Sequence, residues 1–199
     1  KVNQNQKVKT AFVSSGLRYD LMFNKRSKNP VEDNEYAEQL ITHHVSGRLK
    51  VAPEHTEDRV LDLMRKPSFE LFKTFKKKFD EVCKKNNLNQ EIIPYFISSH
   101  PACEAEDMAS LAAKTKNLGY KLEQIQDFTP TPMTLATVIY YSGFHPYYNK
   151  EVKTAISYDE KKKQRQFFFW YKPENKNYIK NYLSKIKRFD ITKELFGQK

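Results

Sequence analysis

Four short apolar runs alternate with longer segments whose apolar groups recur at helical spacing, and that alternation restricts the fold more than any other feature of the chain. The runs are KTAFVSS (9–15), LKVA (49–52), IIPYFISS (92–99) and QIQDF (124–128). After the first, Asn34 is placed to cap a helix bearing Tyr36, Ala37, Leu40 and Ile41. After the second, Thr56 reads as an N-cap, with Glu57 and Asp58 in the first turn and Val60, Leu61 and Met64 as the buried stripe, ending at Pro67. A longer helix is predicted over about 68–86, with Phe69, Phe72, Phe75, Phe79 and Val82 on one face and lysines on the other. Helices over about 104–118 and 133–142 follow, closed by Gly119 and Gly143, with the stiff connector TPTP at 129–132.

The order β-α-β-α-β-α-β-α predicts an α/β fold with parallel strands and right-handed crossovers. Four βα units are too few for a closed eight-stranded barrel, which takes about 250 residues. An open sheet and half of a larger barrel both fit.

Past His145 the alternation fails. KKKQRQFFFWYKPENKNYIKNYLSKIKRFDI mixes bases with aromatics, and Tyr178, Tyr182 and Ile186 lie four apart, which predicts a basic helix over about 175–188. The formal charge of +11 is concentrated here: residues 150–199 hold 14 Lys+Arg against 6 Asp+Glu, a net +8, and residues 1–149 carry +3. Such a tail can contact phosphates through its bases and stack nucleobases on its aromatics. The favoured reading is plainer, a solvated basic helix that docks its aromatics on the core.

The 199 residues suffice for one domain, with or without an appendage. No run of eighteen apolar residues and no secretory signal occur, and Cys83 and Cys103 make no disulfide framework, so the cytoplasm is the expected compartment, with no membrane partner. The chain opens on Lys1 and a polar KVNQNQKVK, and we read it as a piece of a longer protein.

In parallel α/β folds ligands sit at the C-terminal ends of the strands. Those ends carry Ser14, Ser15 and Arg18; Glu54, His55 and Thr56; Ser98, Ser99 and His100; and Thr129 and Thr131. Each has a bland alternative. Glu54 is either solvated or serving the next helix, His55 reads as a packing or surface imidazole rather than a catalyst, and His100 before Pro101 is either a turn residue or a ligand contact. His43 and His44 precede a strand, at the opposite rim, and read as structural. Cys103 at a helix N-terminus is expected to have a lowered thiol pKa. There is no CxxC, HExxH, phosphate loop, GxGxxG or Gly-x-Ser-x-Gly elbow.

Three of these strand ends lie in longer recognisable stretches. GRLKVAPEHTEDRVLDLMRKP, PYFISSHPACEAEDM and QIQDFTPTPMTLATVIYYSG, with SSGLRYDLM before them, resemble the YgiQ-type radical S-adenosylmethionine proteins over about Ala11 to Pro146, in the family's order. They also resemble the second half of the methylthiotransferase radical domain. The resemblance implies a partial, six-stranded (β/α) barrel, of which this chain holds the last four strands: residues 1–146 would be the C-terminal part of the barrel and 147–199 a basic, mostly irregular or helical C-terminal extension.

It further implies a [4Fe-4S] cluster on a Cys-x3-Cys-x2-Cys loop and S-adenosylmethionine, cleaved to a 5′-deoxyadenosyl radical, in a full-length parent. This sequence has no such loop, so neither cofactor is expected on the fragment alone, which should be inactive. Ala102 stands where the family tends to have Gly. Carried over by position, Ser15 and Arg18 match the first segment of the cofactor site, where Arg18 would meet the methionyl carboxylate; Glu54 would meet the ribose hydroxyls, Ser99 and His100 the adenine or the substrate, and Thr131 lies on the last strand's turn. The substrate stays open. The uncovered strand edge of a half barrel favours self-association. The alternative is a nucleic-acid-binding α/β module acting through the basic tail.

Overall fold

The computed structural model describes residues 7–23 and 30–197. Its helices are α1 (Pro30–His43), α2 (Asp58–Leu63), α3 (Phe69–Lys85), α4 (Ala105–Asn117), α5 (Leu135–Ser142), α6 (Tyr158–Phe168), α7 (Pro173–Lys185) and α8 (Phe189–Phe196). The strands β1 (Arg48–Glu54), β2 (Glu91–Ser98) and β3 (Ile125–Asp127) form one parallel sheet in that order. β2 and β3 pair with Phe96 opposite Ile125 and Ser98 opposite Asp127. A short hairpin joins β4 (Phe144–His145) to β5 (Lys150–Glu151). No described helix is long and apolar enough to cross a membrane.

Two compact units divide the chain, one of Lys1–Pro53 with Phe69–Tyr95, the other of Glu54–Ser68 with Phe96–Lys199. The first is built on α3. Its stripe Phe69, Phe72, Phe75, Phe79 and Val82 is buried because every third or fourth residue returns to one face. Tyr19 stacks on Phe75 at 5.4 Å and meets Phe72 edge-on at 5.8 Å. Burial of each such ring is worth roughly 1.5–3 kcal/mol. The lysine face carries the pairs Lys73–Glu70 and Lys76–Asp80, both 2.6 Å.

The first expected strand does not form. Residues 9–15 have no strand and Phe12 is exposed; the Val13 N–H bonds to the His44 carbonyl at 2.9 Å, and just beyond the segment Leu17 forms an isolated parallel bridge to Val51. Three apolar residues among polar ones bury too little to hold a strand. Asn34 lies inside α1 rather than capping it. His43 ends α1, and the Nδ1 of His44 lies 2.7 Å from the Ala11 carbonyl, a structural contact.

The second unit packs α4 against α6 and α8, with α7 against both. Residues 158–196 are thus a three-helix layer, the helical of the two forms expected for the tail, with α7 close to the helix predicted over about 175–188. Its core is Phe167, Phe168, Ile179, Leu183, Ile191 and Leu195, all buried. The aromatic run is spent largely on packing.

Candidate functional site at the strand ends

The polar ends of β1, β2 and β3 meet around one open cavity of ≈450 Å³, of the size that takes a small molecule. Glu54, the last residue of β1, contributes a carboxylate. Its backbone is left-handed (φ 67°), which turns the chain sharply out of the strand. The Lys66 ammonium stands 3.2 Å from the Glu54 carboxylate on the same wall. Burial raises the Glu54 pKa above the usual carboxylate value, and Lys66 partly restores the charged form.

His100 follows β2 and is buried. Its Nδ1 lies 2.9 Å from the Pro101 carbonyl, which can only accept, so Nδ1 carries the proton and Nε2 the lone pair. Its ring meets Phe128 edge-on at 4.9 Å. Burial lowers its pKa, so the imidazole is neutral at pH 7. Phe128, Thr129 and Thr131 line the cavity after β3, together with Asp127 and Ile97. The Thr131 carbonyl accepts the Thr134 and Thr137 hydroxyls, at 2.9 and 2.6 Å, and so ties this turn to the start of α5.

Of the six residues predicted for the site, Glu54, His100 and Thr131 therefore line one cavity. Ser99 is buried beside His100 in a left-handed conformation (φ 60°), and its hydroxyl has no partner among the described residues. Ser15 and Arg18 belong to the first unit and are not among the cavity's lining. There Arg18 grips Asp20 through two hydrogen bonds of 2.8 and 2.6 Å.

Sequence reasoning missed Asp127 and everything behind it. Asp127 accepts the Ser98 hydroxyl at 2.6 Å and pairs with Arg165 of α6 at 3.0 Å. Its place at the end of a short strand was the available signal. Gln164, the neighbour of Arg165, accepts the Ser99 N–H and donates to the Cys103 carbonyl, both at 2.8 Å. No local pattern announced that contact.

Cys103 departs from expectation, while His55 takes the packing role read for it. His55 is fully buried; its Nδ1 accepts the Glu57 N–H at 3.1 Å, and its Nε2 is 3.5 Å from the Cys103 Sγ. Burial lowers the His55 pKa to about 3, with His100, Lys114 and Arg59 adding to the effect. The expected lowering of the Cys103 pKa is reversed, because burial outweighs the helix end and pushes the thiol up. Two neutral groups in contact make a packing pair rather than an ion pair. Thr56 is not the cap of α2 either. Glu57 holds that place, and the Thr56 hydroxyl bonds to its carboxylate at 3.1 Å. Ala102 takes φ 71°, the region glycine favours.

Among the described residues no group of three or more His, Cys, Asp and Glu is placed to hold a metal ion.

Residues 123–195 match a family model described as a domain of unknown function (DUF3362). A UPF0313 protein of Bacteroides thetaiotaomicron is 57% identical over 195 residues, covering 96% of this chain and 31% of that protein. One of Porphyromonas gingivalis is 53% identical over 200 residues, covering 100% and 32%. One of Methanocella arvoryzae is 42% identical over 184 residues, covering 92% and 29%. The chain spans about a third of the length of these curated relatives, and over that third it is homologous to the UPF0313 proteins.

Proposed function

We propose that this chain is the C-terminal part of a YgiQ-type radical S-adenosylmethionine enzyme, with residues 1–146 from its partial barrel and 147–199 its extension, and that the strand-end cavity takes part of S-adenosylmethionine. The observation that carries the reading is the convergence of Glu54, His100 and Thr131 on one cavity. The residues suit a nucleoside. A half-buried carboxylate at Glu54 accepts from vicinal hydroxyls in short charge-assisted bonds. Ile97 and Phe128 offer apolar surface to a base, and the lone pair on His100 Nε2 accepts from an amino group.

The iron–sulfur cluster does not fit this chain. Three thiolates are needed, and Cys83 and Cys103 are separately buried in different units.

The test uses the full-length protein, reconstituted anaerobically with iron and sulfide and given S-adenosylmethionine and a reductant. Formation of 5′-deoxyadenosine is the expected result. Glu54→Gln should weaken S-adenosylmethionine binding by roughly 10–100-fold, the worth of a hydrogen bond to a charged group. A folded, iron-loaded protein that makes no 5′-deoxyadenosine would sink the proposal.

A further inference from the structure

A second cavity of ≈500 Å³ lies within the second unit, walled by the start of α4, residues 153–155, α6 and α7. One wall is an aromatic platform. The rings of Tyr178 and Tyr182 stack at 6.3 Å and 27°, and buried Phe167 backs both edge-on at 6.0 and 5.5 Å. Burial raises the pKa of Tyr178, and of Tyr182 to about 12, so both phenols remain protonated donors.

The cavity lining itself carries three lysines, Lys153, Lys163 and Lys185, against two carboxylates, Glu104 and Glu160. Each nearby carboxylate is already engaged: Glu104 with Lys153 at 2.7 Å, Glu106 with Arg188 at 2.8 Å, and Asp107 with Arg59 at 2.6 Å. Glu160 accepts the Ser157 hydroxyl at 2.8 Å. Lys163 of α6 and Lys185 of α7 line the same cavity and form no ion pair among the described residues. What remains is a stacking surface beside two ammonium groups free of ion pairs among the described residues, with a lining of net positive charge. A planar ring satisfies the first and an anion the second.

We propose that this cavity is a nucleotide site, with a base against Tyr178 and Tyr182 and its phosphate held by Lys163 and Lys185. The ligand chemistry has two sources, a free mononucleotide or one nucleotide of a single strand. The site is separate from the strand-end cavity and does not depend on the radical-enzyme reading.

The experiment measures binding of adenosine 5′-monophosphate, adenosine and a short oligoadenylate to the full-length protein by calorimetry at low salt. Saturable binding of the monophosphate or the oligonucleotide, with adenosine much weaker, is the expected result. Lys163→Ala and Lys185→Ala should each weaken it roughly tenfold, because each removes a charge-assisted contact. Both side chains are exposed, so the fold should survive. Tyr182→Ala should weaken it and Tyr182→Phe retain most of it. Glu54→Gln should leave it unchanged, which separates this site from the first. Tight monophosphate binding identifies a free nucleotide; tight oligonucleotide binding with a weak monophosphate identifies a strand. Absence of saturable binding by either probe overturns the proposal, as does affinity that ignores both lysine substitutions.

Discussion

Arg165 reaches from α6 to the end of β3 and pairs with Asp127 at 3.0 Å, while the opposite oxygen of that carboxylate holds the Ser98 hydroxyl at 2.6 Å. With the arginine half exposed and the aspartate 27% exposed, solvent screens the pair, so it is worth about 0.2–1 kcal/mol. Its larger role is orientation of a carboxylate that lines the cavity. Arg165→Ala is therefore expected to lower unfolding free energy by no more than about 1 kcal/mol, yet to weaken S-adenosylmethionine binding. Denaturant melts alongside equilibrium dialysis check both halves, and unchanged affinity would reduce the pair to surface decoration.

Gln164 is expected to behave in the opposite way. It is buried, and its amide serves the Ser99 N–H, the Cys103 thiol and the Cys103 carbonyl. Gln164→Leu would leave a buried donor and a buried acceptor unsatisfied, at about 1–3 kcal/mol each. Urea unfolding should show a loss of roughly 2–5 kcal/mol, and the Ser99 amide should exchange with deuterium much faster than in the parent.

Acid should destabilise the second unit through His55. Its folded pKa of about 3 lies below the ordinary 6.5, so the unfolded chain binds a proton that the folded one refuses. That contribution is fully present above pH 6.5 and is lost as pH falls toward 3. The shift sets an upper bound on the order of 5 kcal/mol. His100, shifted the same way, adds to the loss; Glu54 and Asp107, whose pKa values are raised, oppose it at the acidic end. Melting temperature against pH should fall on the acid side, and His55→Gln should flatten that limb.

Ala102 takes a backbone conformation that penalises a Cβ by roughly 1–2 kcal/mol, partly offset by the greater entropy glycine loses on folding. Ala102→Gly should thus stabilise the protein by about 0.5–1 kcal/mol. A thermal melt shows it; a loss of stability would mean the methyl's buried contacts outweigh the strain.

How much of this was legible in the sequence follows from the range of each interaction. β1, β2, β3 and α3 were readable because their periodicities are local, and the Phe69–Phe79 stripe announces its buried face. The rim at Glu54, His100 and Thr131 followed from the rule that parallel strands present ligands at their C-terminal ends. Residues 9–15 misled because an apolar run reads alike whether or not a neighbour accepts it. The C-terminal layer was underread because its many lysines mask the period of Phe167, Ile179, Leu183, Ile191 and Leu195. Cys103 misled because a helix end is visible in sequence and burial is not.

The bond from Ser99 to Gln164 also has a kinetic side. Its two residues are 65 positions apart, and the companion bond to the Cys103 carbonyl spans 61. The turn after β2 gains these two bonds only once α6 has been made and has docked. A nascent chain halted before residue 164 would carry the sheet without a finished mouth.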